Sequence, residues 1–141
     1  TEDGDAVVRD RAWHQLHDDA PRQDADAFEA DALKKFGVAV DVVPPRYRST
    51  YFQHIWSGGY AAGYYAYLWT AVLAQDAFQW FTENGGMTRA NGQHYEDTVL
   101  SRGGTKDAHQ LYLDFRGKEP SVEPYLEKKG LTAKPAEPAK K

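Results

Sequence analysis

The chain has 141 residues, 41% hydrophobic and 13% aromatic, with a formal net charge of −4 at pH 7 and an isoelectric point near 5.7. This length and apolar content suffice for one domain with a modest core and exclude a disordered chain. The acidic balance argues against nucleic acid or an anionic membrane surface as the main partner, since both select basic patches. Cysteine is absent, which excludes disulfides, a thiolate nucleophile and cysteine-ligated zinc. No apolar run reaches the roughly 18 residues of a membrane span. The start, Thr1-Glu2-Asp3-Gly4, has neither an initiating Met nor a signal-peptide pattern, which fits an internal start, processing or engineering alike.

Asp5 through His17 reads as a first helix, with Asp3 or Asp5 as N-cap and Val7, Trp13 and Leu16 as apolar contacts. His14 and His17, at i and i+3, are close enough to share a metal. No third ligand stands at a supporting spacing, so the favoured reading is two surface histidines beside Asp18 and Asp19. Pro21 breaks the chain. Asp24 or Asp26 then caps a second helix through Phe36, with Phe28, Ala32, Leu33 and Phe36 at helical spacing. Lys34 and Lys35 complement its C-terminal dipole and Gly37 caps it. Val38 to Val43 alternates weakly, as a short extended segment would, and Pro44-Pro45 forbids helix. Arg46 and Arg48, two apart in extended chain, point to the same side. Such a pair can grip a carboxylate in bidentate fashion or neutralise structural acids.

Tyr51 to Trp69 is dense in aromatics, carries His54, and has glycines at 58, 59 and 63. From Ala61 it reads as a helix, with no breaker until Asn84-Gly85-Gly86. At about 100° per residue, Tyr60, Tyr64 and Tyr67 share one face. The plain alternative is an aromatic stripe packed in a core. Against it stands the requirement that every buried phenol find a hydrogen-bond partner. A phenol is a neutral donor at pH 7 and can stabilise an oxyanion. The glycines would let a ligand backbone approach the main chain closely. Further on, Asn91 caps a helix through Leu100, Thr105 caps Lys106 to Phe115, and a short helix covers Val122 to Lys129. His94 and His109 sit on surface helices and receive no chemistry. The fold expected is mainly α, with five to six helices and any β content confined to Val38 to Arg48. Residues 1–131 form one helical segment, and 132–141 form a flexible Lys/Pro/Ala tail.

The run Pro44-Pro45-Arg46-Tyr47-Arg48-Ser49, followed by Phe52-x-His54-x-x-x-Gly58-Gly59-Tyr60-x-x-Gly63-Tyr64-Tyr65-x-Tyr67-Leu68-Trp69, resembles the thimet-oligopeptidase-like zinc metallopeptidases. Within that family it resembles the C-terminal region of the bacterial peptidyl-dipeptidases. The likeness continues through Asp76-Ala-Phe, Leu100-Ser-Arg-Gly and Phe115-Arg-Gly-Lys and spans about Ala12 to Leu131. The family's His-Glu-x-x-His zinc motif is absent; in the family it lies upstream.

The resemblance implies one wall of a helical, cleft-split enzyme that releases dipeptides from peptide C-termini. Zinc and its ligands, with the glutamate base, would come from an upstream segment, and this chain alone would be inactive. Carried over by position, Tyr67 matches the transition-state tyrosine and His54 a histidine near the scissile bond. Tyr60 and Tyr64 match tyrosines that contact the peptide, and Gly58, Gly59 and Gly63 match a flexible loop over the cleft. Arg48 is a candidate for the peptide carboxylate. The other reading is a catalytically silent domain that binds peptides or self-associates through exposed Trp56, Trp69 or Trp80, so a homo-oligomer is a further expectation. The sequence fits a cytoplasmic or a periplasmic protein equally.

Overall fold

The computed structural model describes residues 2–132, with side chains from Gly4 onward. Seven α-helices hold most of the regular structure of the described residues: α1 (Glu2–His14), α2 (Ala25–Lys35), α3 (Gln53–Trp56), α4 (Tyr65–Glu83), α5 (Arg89–Thr98), α6 (Ala108–Arg116) and α7 (Glu123–Lys128). A 3-10 turn at Leu100–Arg102 follows α5. The described residues contain no strand, only an isolated bridge between Val40 and Val43. The mainly helical expectation holds. The helix beyond the expected six is α3, a single turn just before the Gly58-Gly59 pair. No helix among the described residues is long and apolar enough to cross a membrane. The expected tail lies, apart from Thr132, outside the described residues.

The chain divides into two compact units, Thr1–Trp69 and Thr70–Lys141. In the first, Ala6, Phe52, Ile55 and Tyr64 form the hydrophobic core, with Val7 and Trp13 packed against it and Leu16 largely exposed. Helix α1 starts before both expected caps and ends at His14 rather than His17. Asp5 therefore lies inside the helix, one turn from Arg9, and bonds its guanidinium at 3.1 Å. Asp24 caps α2 by accepting from the Ala27 amide at 2.9 Å. Phe36 ends the helix, and Gly37 follows it at φ 69°.

A polar network fixes the irregular segment before α3. Arg9 is fully buried. Its guanidinium donates to Asp5, to Glu29 and to the Tyr47 carbonyl, and lies 5.2 Å from the centroid of the Phe52 ring. Glu29, also buried, accepts in addition from Arg48 at 2.6 Å, from the Ser49 amide at 2.9 Å and from the Ser49 hydroxyl at 2.8 Å. The indoles of Trp13 and Trp56 donate to the Ser49 hydroxyl and carbonyl, each at 2.9 Å. A buried charge is tolerated only when paired and hydrogen-bonded in this way.

In the second unit the same device joins α6 to α4. Asp76, 1% exposed, accepts from the Tyr112 hydroxyl and from two nitrogens of Arg116, whose remaining donors reach Glu83. Burial, then the bond to Asp76, pushes the Tyr112 phenol far above its ordinary value. Trp80 and Phe115 pack against His94, and Phe81 and Tyr95 pack against Phe115. The His94 ring stacks on Trp80 at 4.7 Å, and its Nε2 lies 3.0 Å from the Phe115 carbonyl. His94 is thus half-buried rather than on the surface. His109, exposed as expected, pairs with Glu119, and that bond raises its pKa.

The caps here differ from expectation. Thr88, not Asn91, caps α5. Asn91 instead donates its side chain to the carbonyls of Asn84 and Gly86, at 2.9 and 2.7 Å, and closes the preceding turn. Asp107, not Thr105, caps α6. Both shifts have one cause: a short polar side chain serves whichever amide the turn leaves within reach.

The carboxyl of Glu29 is held below its ordinary 4.5; burial would push it up, but the bonds from Arg48 and Ser49 and the charge of Arg9 outweigh burial. A depressed carboxylate stabilises the fold above its unfolded value, and the stabilisation is lost as pH falls through the lower folded value. Glu29→Gln leaves buried Arg9 with Asp5 but without the Glu29 charge and is expected to cost about 3 kcal/mol. It should also flatten the loss of stability on acidification. Urea midpoints of both proteins from about pH 3 to about pH 7 check both outcomes.

Candidate active site

The tyrosine-rich stretch does not form the helical face expected of it. Helix α4 begins at Tyr65 rather than Ala61, and residues 61–64 form a turn in which Ala62 has a left-handed φ of 55°. Tyr60 and Tyr64 therefore precede the helix. Their rings nonetheless meet that of Tyr67, which α4 carries in its first turn: Tyr60 stacks on Tyr67 at 5.4 Å and 15°, and Tyr64 lies 5.0 Å from it. A turn followed by a helix gathers the rings that a continuous helix was expected to align.

Helix α3 brings His54 into this cluster. Its ring lies 4.6 Å from Tyr60, 5.6 Å from Tyr64 and 5.7 Å from Tyr67. Its Nε2 is 2.9 Å from the Tyr67 hydroxyl, the two sharing a hydrogen bond whose donor depends on the tautomer. His54 and Tyr67 face solvent, whereas Tyr64 is 9% exposed and belongs to the core. The packed-core alternative therefore holds for Tyr64 and not for Tyr67.

The turn is fixed from beneath by Asp10 on α1. Asp10 is fully buried. One carboxylate oxygen accepts from the Ala62 amide and the other from the Tyr64 amide, each at 2.9 Å. His14 Nδ1 lies 3.0 Å from the first oxygen and 2.8 Å from the Asp10 carbonyl. No feature of the sequence marks Asp10, because its partners lie more than fifty positions away and are backbone amides, which carry no side-chain signature.

A cavity of about 480 Å³ opens beside the cluster. Arg46, Tyr47, Tyr51 and Phe52 line it from one stretch, and Gln53, His54, Tyr64 and Tyr67 line it from the other. Tyr60 and the three glycines stand outside its wall. Arg48 does too: its guanidinium is engaged with Glu29, which is the structural-acid pairing left open for it. A larger cavity of about 630 Å³, lined by α2 and the segment Val38 to Arg48, holds none of the tyrosines. Gly58 and Gly59 sit at φ 75° and 84° with open space where a Cβ would stand. Backbone conformation, not room for a ligand, is what requires glycine there. Gly63 differs, since a Cβ would come within 3.3 Å of the Tyr60 backbone. Among the described residues no group of three or more His, Asp or Glu is placed to hold a metal ion, and His14 is engaged with Asp10.

The site thus offers an exposed neutral phenol, an imidazole bonded to it, an arginine on the same cavity wall and a stacked second phenol. Such a set can donate hydrogen bonds to a developing negative charge and can bind a peptide backbone or carboxylate. The model of Peptidase family M3 matches residues 9–131, and the chain belongs to that family. It is 50% identical over 126 residues to a dipeptidyl carboxypeptidase of Escherichia coli, covering 89% of this chain and 18% of that protein. The identity is also 50% over 126 residues to the protein of the same name from Salmonella typhimurium, with the same coverage. It is 46% over 112 residues to oligopeptidase A of Escherichia coli, covering 79% of this chain and 16% of that protein. The chain therefore spans less than a fifth of the length of these relatives.

The Tyr67 phenol is held above its ordinary 10.0, first by its hydrogen bond with Tyr60, then by desolvation and by the neighbouring phenols Tyr60 and Tyr64. Tyr60→Phe is expected to lower the Tyr67 pKa toward 10.0. Carbon NMR of ring-labelled tyrosine across the alkaline titration reads this directly, and an unchanged Tyr67 midpoint would show that the stacked pair does not share a proton.

Proposed function

We propose that this chain forms part of the substrate cleft of a zinc-dependent peptidyl-dipeptidase, an enzyme that releases dipeptides from peptide C-termini. The observation that carries the reading is the bond between His54 and Tyr67, 2.9 Å long, between two residues that line the cavity. The 50% identity to two dipeptidyl carboxypeptidases supports the choice of reaction.

In this reading Tyr67 donates its hydroxyl to the oxygen of the scissile carbonyl as it gains charge. A fixed neutral donor stabilises that oxyanion more than the ground-state carbonyl. His54 holds the phenol oxygen in place and stands beside the scissile bond. Tyr60 stacks on Tyr67 and limits its rotation, and Tyr64 contacts the peptide from the cavity wall. The Gly58-Gly59 turn and Gly63 allow the loop to adjust over the substrate. Of the arginine pair, Arg46 lines the cavity and is better placed than Arg48 for a peptide carboxylate, which a guanidinium binds in bidentate fashion.

The zinc ion that this reaction implies does not fit the described residues, which offer no ligand set for it. Its ligands and the base that activates water are assigned to an upstream segment of the same enzyme, and the isolated chain is inactive. A second reading, a silent domain that self-associates, draws on Trp56 and Trp69, which are 46% and 53% exposed; such patches favour association.

In the complete enzyme carrying this sequence, Tyr67→Phe is expected to lower kcat by about 10²- to 10³-fold, the usual loss of one oxyanion donor, with little change in KM. Unchanged turnover removes Tyr67 from the mechanism. Zinc-dependent peptide hydrolysis by the purified chain alone would refute the assignment of the metal site elsewhere.

A further inference from the structure

We infer that Asp10 is the positioning residue of the tyrosine cluster. It is a buried carboxylate on α1 whose two oxygens set the Tyr60–Tyr64 turn and thereby aim Tyr67. The inference rests on the role proposed for Tyr67.

The geometry is specific. Asp10 is fully buried, yet its carboxylate gives one oxygen to the Ala62 amide and the other to the Tyr64 amide. These amides flank Gly63 just before α4, where the first N–H groups of a helix lack intrahelical partners and where negative charge is favoured by the helix dipole. Between them, Ala62 holds φ 55°, a conformation costly for a residue with a Cβ and sustained only when its surroundings impose it. The turn also closes on itself, the Gly63 amide donating to the Tyr60 carbonyl at 2.8 Å. Tyr60 and Tyr64 stand at the two ends of this turn, and Tyr67 stands in the first turn of the helix that follows it. A shift of the turn would unstack Tyr60 from Tyr67 and move the phenol away from His54.

Glu29, another buried carboxylate of this unit, binds Arg9, Arg48 and Ser49, none of which lies in the Tyr60–Tyr64 turn. The effect on Tyr67 is therefore particular to Asp10 and not a general result of emptying a buried charge site. Asn at position 10 keeps one acceptor but turns an N–H₂ group toward the second amide, so the turn loses one of its two anchors.

In the complete enzyme, Asp10→Asn is expected to lower kcat by about 10²-fold, the scale of an ångström-sized misplacement, with KM within about twofold. On a Tyr67→Phe background the same change should cost no more than about threefold, because both substitutions remove one donor. An equal loss in the two backgrounds overturns the inference and makes Asp10 a general stabiliser of the fold. Should Tyr67→Phe alone leave kcat unchanged, the proposed function fails, and the turn is then judged by amide hydrogen exchange on the unsubstituted protein. There the Ala62 and Tyr64 amides should be protected by at least about 10²-fold over open-loop rates. Exchange at open-loop rates overturns the inference whether or not the Asp10→Asn protein folds.

Discussion

Moving a carboxylate out of water costs several kcal/mol, and the ion stays charged in a protein interior only when fixed donors surround it. Asp10 meets this condition with two backbone amides more than fifty residues away in sequence. Everything in the tyrosine cluster depends on that bond pair. It holds the turn in which Ala62 takes a left-handed conformation, it sets where α4 begins, and it places Tyr60 and Tyr64 against Tyr67. Glu29 does the corresponding work for the segment that carries Arg46 and Tyr47, and Asp76 joins α6 to α4. In each case an acid on one helix organises chain that has no regular hydrogen bonding of its own or a helix that would otherwise drift. This suits a protein whose first unit buries only a small cluster of apolar side chains. Directional bonds supply the positional definition that a small core cannot.

The helices were legible because their apolar spacing and breakers are local properties. Asp24 was read as one of two N-caps of α2, and the Gly85-Gly86 stop of α4 was read directly, since each acts within one turn. Cap identity failed at Thr88 and Asp107, where two short polar residues stand within three positions of each other and the sequence alone does not rank them. The start of α4 failed for a deeper reason. Ala61 and Ala62 favour helix and Gly63 only weakens it; the turn in its place is bonded to Asp10, a tertiary partner. The residues of the site were legible mainly through family resemblance, which the match to Peptidase family M3 bears out at the level of the family. Their arrangement was not, since stacking of Tyr60 on Tyr67 requires the turn that local reasoning replaced with helix. Arg48 was a reasonable candidate by residue type, yet its pairing with Glu29 depends on where α2 lies.

Several aromatic side chains remain outside any core. Tyr51, Trp56, Tyr65 and Trp69 are each roughly half exposed or more. In a chain that spans less than a fifth of its relatives, such exposure matches the proposed division of the enzyme into a segment that carries zinc and one that carries phenols. The exposed rings sit on the same short stretch as His54 and Tyr67, so the surface open to a partner or to peptide is continuous in sequence with the proposed donors. Trp80 departs from this pattern: it packs against His94 and Phe115 and serves the interior of its own unit.

The neutrality of a phenol decides what kind of donor Tyr67 can be. A phenol is neutral across the range in which peptidases work, the bond with Tyr60 moves Tyr67 further in that direction, and its hydrogen bond strengthens when negative charge develops opposite it. A lysine in the same place would attract the ground-state carbonyl and any passing carboxylate as well, raising affinity without a matching gain in rate. The donor must, however, already point at the oxygen it will serve, because reorienting it during the reaction would forfeit much of the gain. Stacking on Tyr60 and bonding to His54 restrict the ring, and both contacts exist only while the turn beneath them keeps its shape. The electrostatic work proposed for an exposed, neutral phenol therefore traces back to a buried, charged carboxylate on another helix.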